Sequence, residues 1–224
     1  MPLYELLKAR PLAYNKYMPS RNTRKQYAEH SYYHIYTRGG NKQTVFIDSF
    51  DYAYFLGLFK RYLSKDTVKN TARIPYKNYS ENIDLLAYCL MPNHIHIVIY
   101  QNDKDAISYF MQSVMTSYSM YFNKRYGHLG PVFQSRYLAS IIDQENYLHH
   151  ISRYIHLNPK QWRSYPYSSL PYYLGDKSAD WIKPDKILDL FDNNTEKYRT
   201  FLKDYKEQKE LLDELKWELA NVEP

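Results

Sequence analysis

Apolar and polar positions repeat with two different periods along the first two thirds of the chain, and these periods predict its secondary structure. Residues 31–38 (SYYHIYTR) are rich in β-forming side chains and stop at two glycines, which predicts a strand. Residues 84–90 (DLLAYCL) and 94–100 (HIHIVIY) flank a Met-Pro-Asn turn, which predicts an antiparallel hairpin. Residues 131–142 predict a fourth strand.

Helical spacing of the apolar residues predicts three helices among these strands. Asp48 and Asp143 stand at the starts of two of them as N-cap residues, whereas Gly127 and Pro159 stop the chain from continuing as helix. The predicted helices lie at about 48–63, 105–126 and 143–158.

The order of these elements predicts the fold class. Strand, helix, two strands, helix, strand and helix favour an α+β fold, a ferredoxin-like or RRM-like antiparallel sheet with helices packed on one face. We divide the chain into a basic N-terminal arm at 1–28, a central domain at 29–160 and a C-terminal region at 161–224. That last region contains aromatic turns (SYPYSSLPYYLG) and an amphipathic helical extension from about 195 to 219.

Charge is distributed unevenly and indicates a polyanionic partner. Residues 1–42 contain eight Lys and Arg against two acidic residues, which equals the net charge of +6 of the whole chain. Residues 124–163 contain six against two, and the chain from residue 176 onward has nine basic against thirteen acidic residues. A basic front and middle suit a nucleic acid. The alternative is a solvated surface whose charges happen to segregate.

Composition excludes several classes of protein. No apolar run approaches the ~20 residues that span a bilayer, and the N-terminus lacks the apolar core of a signal peptide. Cys89 is the one cysteine, so neither an internal disulfide nor a multi-cysteine zinc site can form. We expect a cytoplasmic protein without a membrane partner. The 27 tyrosines suit stacking on bases, although compositional drift explains them equally well.

The two histidines of the third predicted strand, at residues 94–100, are candidate metal ligands. Side chains alternate along a strand, so His94 and His96 project from the same face, about 6–7 Å apart at Cα. Two imidazoles in this arrangement can chelate one divalent ion. The alternative reading is a pair of surface histidines on an edge strand.

The last predicted helix carries a second set of candidate residues. Residues four apart share a helical face, so Tyr154 lies over Asn158, with His150 one turn earlier. The amide can complete a coordination sphere, and the phenol can attack a phosphate. Alternatively, Tyr154 packs in the core and Asn158 caps the helix. A ring at Tyr154 that is buried, or directed away from the paired imidazoles, would contradict the catalytic assignment.

Several motifs together resemble the HUH-type single-tyrosine transposases, in particular insertion-sequence transposases and REP-associated tyrosine transposases. The His-hydrophobe-His motif stands within MPNHIHIVI, and the other matching segments follow in the same order. These are YHIYTRGGNKQTVF near residue 33, YFNKRYGHLGPVFQSRY at 121–137 and YLHHISRYIHLNP at 147–159. The resemblance covers roughly residues 20–175.

The resemblance implies a specific activity. Such enzymes nick and join single-stranded DNA at hairpins through a 5′-phosphotyrosine link, which makes Tyr154 the nucleophile. It also implies that His94, His96 and Asn158 bind Mg²⁺ or Mn²⁺, and Asn is shorter than the Gln found elsewhere in the family. It further implies association with the nucleoid of a prokaryotic cell, as a monomer or a homodimer.

Basic residues are the candidate contacts for the DNA backbone. Three lie in the N-terminal arm and five in the central domain: Arg21, Arg24, Lys25, Arg38, Lys124, Arg125, Arg136 and Arg153. Each of them is equally well interpreted as a solvated surface charge. His34 is interpreted as a histidine at the edge of the core rather than as a ligand.

Other assignments remain open at the level of sequence. Tyr118, Tyr121, Tyr126 and Tyr137 are rival nucleophiles, and Tyr121 is the strongest because Arg125 lies one turn away. The first rival function is a domesticated, non-catalytic nucleic-acid-binding protein on the same fold. The second is a metal-dependent phosphohydrolase that uses the two histidines with water as the nucleophile.

Overall fold

The chain folds around a four-stranded antiparallel sheet in a computed structural model that describes residues 27–142 and 145–204. The strands are β1 (Ser31–Arg38), β2 (Ile83–Met91), β3 (His94–Gln101) and β4 (Leu138–Ile142). The helices are α1 (Ser49–Leu63), α2 (Ala106–Tyr126), α3 (Glu145–Leu157), α4 (Leu170–Tyr173), α5 (Asp185–Leu188) and α6 (Thr195–Lys203).

The strand order is β2-β3-β1-β4, which is the ferredoxin-like arrangement that the element order predicts. β3 pairs with both β1 and β2, and β1 also pairs with β4, always antiparallel. β2 carries one extra residue, Leu86, between the pairs Leu85–Ile99 and Ala87–Val98. The α+β fold class is therefore confirmed.

Local sequence explains where the two long helices begin and end. Asp48 caps α1: its side chain accepts from the backbone N–H groups of Phe50 and Asp51, and the Asp51 carboxylate in turn accepts from the Asp48 N–H. Gly127 ends α2 in the left-handed conformation at φ +61°, which glycine adopts without steric cost.

Helices cover both faces of the sheet. α1 and α2 pack on the face formed by residues such as Tyr33, Ile35 and Ile97. α3 and the C-terminal helices pack on the other face, against Cys89 and Val98. The prediction of helices on one face holds for α1 and α2, and the opposite face receives the helix that carries Tyr154.

α3 is fixed to the C-terminal region by polar contacts inside the protein. His156 is fully buried, with its Nδ1 2.7 Å from the Tyr198 hydroxyl of α6 and its Nε2 2.7 Å from the Ser169 Oγ atom. The Tyr198 hydroxyl also donates to the Ser152 Oγ atom at 3.0 Å. Burying a polar group costs free energy unless the group is hydrogen-bonded. This network therefore favours one position and orientation of α3 on the sheet.

The chain that follows α3 lies along the outer edge of β2. The Leu90 N–H donates to the Tyr167 carbonyl, the Ser169 N–H donates to the Tyr88 carbonyl, and Lys183 N–H donates to the Leu85 carbonyl. This edge of the sheet is therefore covered by the protein's own backbone.

One boundary differs from the predictions, and three other predicted features lie outside the described residues. The fourth strand begins at Leu138 rather than 131, because residues 131–137 touch β1 only through an isolated bridge between Gly39 and Phe133 and neighbouring hydrogen bonds. The proposed cap Asp143 lies outside the described residues, as do the arm up to residue 26 and the predicted continuation of α6 to 219.

Candidate active site

The two histidines lie on the sheet face that α3 covers. On β3, Ile95 and Ile97 point into the core beneath α1 and α2, so His94 and His96 project to the opposite face, as strand alternation predicts. β1 is the neighbouring strand and contributes the side chains at alternate positions, namely His34, Tyr36 and Arg38. α3 completes the site from above.

Tyr154 contacts the imidazoles from α3. Its ring meets the ring of His96 edge-on, with centroids 5.2 Å apart, and it lies 6.5 Å from the ring of His34. Asn158 follows at the end of α3, and its Oδ1 atom lies 3.4 Å from Nε2 of His94. The structure thus brings together the four residues that the sequence nominated.

The Tyr154 ring is buried, with 7% of its surface exposed. Burial raises the pKa of the phenol well above its usual value, the nearby Tyr36 adds to this, and a hydrogen bond with Asn158 opposes it. The orientation toward the imidazoles meets the requirement for a nucleophile, whereas the burial does not. Partly exposed residues that act on the phenol include Tyr36, Arg38 and Asn158.

Both candidate ligands are neutral imidazoles at neutral pH. Burial lowers the pKa of His94 to about 4, with a smaller contribution from the Arg38 charge. Burial also holds the pKa of His96 well below its usual value, aided by His34, His94 and Arg38. A neutral imidazole has a lone pair for a metal, whereas an imidazolium has none.

The donor set fits a divalent cation. The Nδ1 atom of His94 lies 2.7 Å from Oδ1 of Asn93, an acceptor, so the imidazole proton resides on Nδ1 and the Nε2 lone pair is bare. That lone pair faces a second acceptor, the Oδ1 atom of Asn158. Two acceptors that face one another need a proton or a cation between them. Within residues 27–142 and 145–204, no three His, Cys, Asp or Glu side chains cluster as a metal site. The third candidate donor beside the two imidazoles is the amide oxygen of Asn158.

The rival tyrosines belong to the other side of the sheet. Tyr118 and Tyr137 lie in the core beneath α1 and α2, and Tyr121 and Tyr126 pack against that core. The Tyr121 and Tyr126 hydroxyls donate to the buried carboxylate of Asp51. The sheet therefore separates all four from the paired histidines.

The predicted DNA-binding residues are placed in different environments. Arg38 lies at the site, because it is the partner of His94 in the pairing of β1 with β3, and its charge lowers the pKa of both His94 and His96. Lys124 and Arg136 are exposed. Arg125 forms ion pairs with Asp48 at 2.6 Å and with Asp51 at 3.0 Å. The three arm residues, Arg21, Arg24 and Lys25, lie outside the described residues.

Arg153 is a correction to the predicted set. It is 1% exposed, its guanidinium lies 4.1 Å above the ring of Phe201, and Nη1 donates to the Phe201 carbonyl. Its Nη2 atom lies 3.0 Å from Nδ1 of His150. The side chain points from α3 into the interface with α6, because the face of α3 that bears Arg153 is covered by the C-terminal region. It does not line a surface path for DNA.

Sequence reasoning interpreted His34 as a histidine at the edge of the core, near the site, and did not nominate Tyr36 or Asn93. His34 hydrogen-bonds to His96, Tyr36 packs 4.9 Å from the ring of His96, and Asn93 fixes the ring of His94. Alternation along β1 places His34 and Tyr36 on the same face of the strand, so the sequence pattern alone could have grouped these two residues. Which neighbouring strand they face depends on the pairing of β1 with β3, which the sequence does not state.

An antiparallel sheet that presents paired histidines to a tyrosine-bearing helix defines a class of DNA-processing proteins. The family model for the IS200-like transposases matches residues 27–158, and the chain belongs to this family. The resemblance to HUH-type single-tyrosine transposases is thereby confirmed.

A solved structure shares the fold. It is that of a REP-associated tyrosine transposase bound to a REP hairpin, and it is 16% identical in sequence with a TM-score of 0.50. The match covers 71% of this chain and 92% of that chain. No curated protein matches this sequence. In the part of the chain that the structure describes, no helix is long and apolar enough to cross a bilayer.

Proposed function

We propose that this protein is a metal-dependent, single-stranded DNA endonuclease and strand transferase that acts at DNA hairpins through a 5′-phosphotyrosine intermediate. The observation that carries this proposal is the convergence of Tyr154, His94, His96 and Asn158 on one face of the sheet. A phenol beside two neutral imidazoles and an amide oxygen is a suitable arrangement for phosphoryl transfer.

His94, His96 and Asn158 would hold the divalent cation. Imidazole ligands suit Mn²⁺ better than they suit Mg²⁺. Such an ion would supply positive charge that polarises a non-bridging oxygen of the phosphodiester and favours in-line attack. Arg38 lies close enough to influence the imidazoles, and its positive charge also favours an incoming phosphate.

The phenol oxygen of Tyr154 forms a bond to phosphorus while the bond from phosphorus to the 3′ oxygen breaks. The phenol proton ends on that 3′ oxygen, so the products are a 5′-phosphotyrosyl strand and a free 3′-hydroxyl. Because one phosphodiester replaces another, a 3′-hydroxyl from a second strand can reverse the step and join DNA without a nucleotide cofactor. A tyrosine nucleophile therefore permits transfer, whereas water would give hydrolysis.

Access to Tyr154 sets a structural condition on this reaction. Since the ring is 7% exposed, a phosphodiester must enter past partly exposed neighbours such as Tyr36, Arg38 and Asn158, or α3 must move outward. The hydrogen bond to Asn158 and the edge contact with His96 direct the phenol to the same side as the candidate cation site. Entry from that side brings phosphorus between the two.

Hairpin DNA is the proposed substrate because the solved REP-associated transposase is bound to a hairpin. A groove between α2 and residues 131–137 offers an apolar floor with Met111 and Met115, amides such as Gln112 and Gln134, and the exposed Arg136. Apolar surface that alternates with amides suits unpaired bases, and the arginine suits a phosphate.

The decisive experiment is detection of a covalent protein–DNA adduct. Full-length protein is incubated with Mn²⁺ and labelled single-stranded hairpins from the DNA that flanks its gene, and denaturing gels resolve adduct from cleavage products. Tyr154→Phe should abolish both adduct and cleavage. Tyr121→Phe is the matched control, since Tyr121 lies beyond the sheet, and this variant should retain both.

The rival functions give different outcomes in the same assay. Cleavage that survives Tyr154→Phe identifies a phosphohydrolase that uses the histidines with water. Hairpin binding without cleavage by the wild-type protein, with Mn²⁺ or Mg²⁺, identifies a non-catalytic binding protein. The burial of Tyr154 is the observation that favours this second candidate.

A further inference from the structure

His34 and His96 form a buried pair at the centre of the sheet. They project from the adjacent strands β1 and β3, and their rings are nearly parallel, with an 11° angle and centroids 5.3 Å apart. The Nε2 atom of His34 lies 3.1 Å from Nδ1 of His96. His34 is 3% exposed and His96 is 1% exposed, so this hydrogen bond is shielded from water.

One proton must occupy this hydrogen bond, and its position determines whether His96 can bind a cation. A neutral imidazole has one N–H donor and one acceptor nitrogen. If His34 donates from Nε2, His96 carries its own proton on its other nitrogen, Nε2, and has no lone pair there. If His96 donates from Nδ1, its Nε2 lone pair is available to a metal.

The other histidine of the site shows how the chain settles this choice. His94 places its Nδ1 atom 2.7 Å from Oδ1 of Asn93, which can only accept, while the Asn93 amide NH₂ donates to the Lys42 carbonyl at 3.4 Å. His94 therefore presents a bare Nε2. If His96 likewise donates from Nδ1, to His34, then His94 and His96 both have a free lone pair on Nε2. Each ring is then oriented by a hydrogen bond at its Nδ1 atom.

We propose that His34 is a positioning residue whose Nε2 atom accepts the Nδ1–H of His96, fixing both the ring orientation of His96 and the tautomer that leaves Nε2 for the cation. The proposal rests on the proposed metal site formed by His94, His96 and Asn158. It assigns His34 a role behind the ligand rather than in contact with the metal or the DNA.

Three substitutions at position 34 separate this role from simple packing. His34→Leu introduces an apolar side chain of comparable size and removes the acceptor, Nε2 of His34. His34→Gln places an amide oxygen near the position of Nε2, so it can still accept from His96. The Asn side chain of His34→Asn is one methylene shorter than that of Gln, so its amide does not reach Nδ1 of His96. This variant serves as the polar control.

The first measurement is the tautomer of His96 in the metal-free, ¹⁵N-labelled full-length protein near neutral pH. Two-bond ¹H–¹⁵N correlations distinguish Nδ1–H from Nε2–H, and a His96→Gln sample assigns the signals. We expect the proton on Nδ1 in the wild type and in His34→Gln. A wild-type proton on Nε2 overturns the proposal, whether or not the protein cleaves DNA.

The second measurement is Mn²⁺ affinity by titration with electron paramagnetic resonance, with thermal unfolding of each variant alongside. Loss of a group that orients a metal-binding histidine weakens binding by about 10- to 100-fold, so we expect that loss in His34→Leu and His34→Asn and recovery in His34→Gln. Unchanged affinity in His34→Leu overturns the proposal, as does failure of His34→Gln to recover. A wild-type protein that binds no Mn²⁺ refutes the metal site itself, and the tautomer then decides the role of His34 independently.

Discussion

The rings of Tyr154 and His96 meet edge-on within one chain, with an angle of 88° between their planes. The helix that carries Tyr154, α3, is held against the sheet of the same chain by the buried contacts of His156 with Tyr198 and Ser169. A single chain therefore contains every nominated residue of the site, and no exchange of α3 between subunits is needed to complete it.

We accordingly predict that cleavage does not arise by complementation. Tyr154→Phe protein mixed with the His94→Ala/His96→Ala double variant should remain inactive at all mixing ratios, because each chain lacks a part of its own site. The assay is hairpin cleavage after the two proteins have been unfolded together and refolded. Activity that approaches about a quarter of the wild-type level, which is the share of complete sites at random 1:1 pairing, would show that subunits exchange the helix.

The second prediction separates cleavage from binding. The His94→Ala/His96→Ala variant should lose detectable cleavage while its affinity for hairpin DNA stays within about threefold of wild type, because affinity depends mainly on basic residues. Fluorescence anisotropy in the absence of metal measures the affinity. A loss of binding as large as the loss of cleavage would contradict this division, and circular dichroism excludes unfolding as its cause.

The third prediction contrasts two arginines of the predicted DNA set. Arg153→Leu should lower the free energy of unfolding by about 2–4 kcal/mol, since it removes the hydrogen bonds that the buried Arg153 forms with the Phe201 carbonyl and with His150. Arg136→Leu, at an exposed position, should leave stability within about 0.5 kcal/mol and weaken DNA binding. Urea denaturation and anisotropy measure the pair. Equal stability of the two variants would refute the buried role of Arg153.

The fourth prediction tests the arm. Replacing Arg21, Arg24 and Lys25 with Ala should weaken hairpin binding and reduce the slope of log K against log salt by about 2, if the three residues meet phosphates on single strands at ~0.7 per contact. Affinities measured over a range of KCl concentrations give the slope. The same slope in wild type and variant would show that the arm does not contact the backbone.

The fifth prediction concerns acid stability. Burial lowers the pKa of His150 from 6.5 to about 4, aided by His149 and by the charge of Arg153. As pH falls, the unfolded chain therefore binds a proton at His150 before the folded chain does, and this stabilises the unfolded state. The free energy of unfolding consequently falls between about pH 6.5 and about pH 4, and His150 causes no such loss above about pH 6.5. His150→Gln has no such proton and should lose less stability over that range, by on the order of 1 kcal/mol after allowance for its partial exposure. Urea denaturation at several pH values checks this, and parallel curves for the two proteins would contradict it.

Much of the fold follows from local sequence. β1 and α1 begin and end where the pattern predicts, because two glycines close the strand and Asp48 supplies a complete cap. The strand predicted at 131–142 was too long, since apolar residues such as Val132 and Phe133 are buried without continuous strand pairing. Hydrophobic pattern reports burial, and it cannot distinguish a strand from an irregular segment packed on a core.

The proximity of the candidate ligands could be predicted from the sequence, whereas the residues that support them could not. Spacing placed His94 and His96 on one face, and helical periodicity placed Tyr154 over Asn158. The contact of His34 with His96 depends on strand pairing between distant segments, and the burial of Arg153 depends on where α6 docks. Both are tertiary facts that no local window contains.

The chain that follows α3 saturates outward-facing backbone groups of β2, at Leu85, Tyr88 and Leu90. An open strand edge is a template on which another polypeptide can add a strand, and from there cross-β aggregates can grow. Here the protein's own C-terminal backbone occupies that template. Loss of this segment would expose a largely apolar edge strand, so truncation after α3 should yield a protein that precipitates.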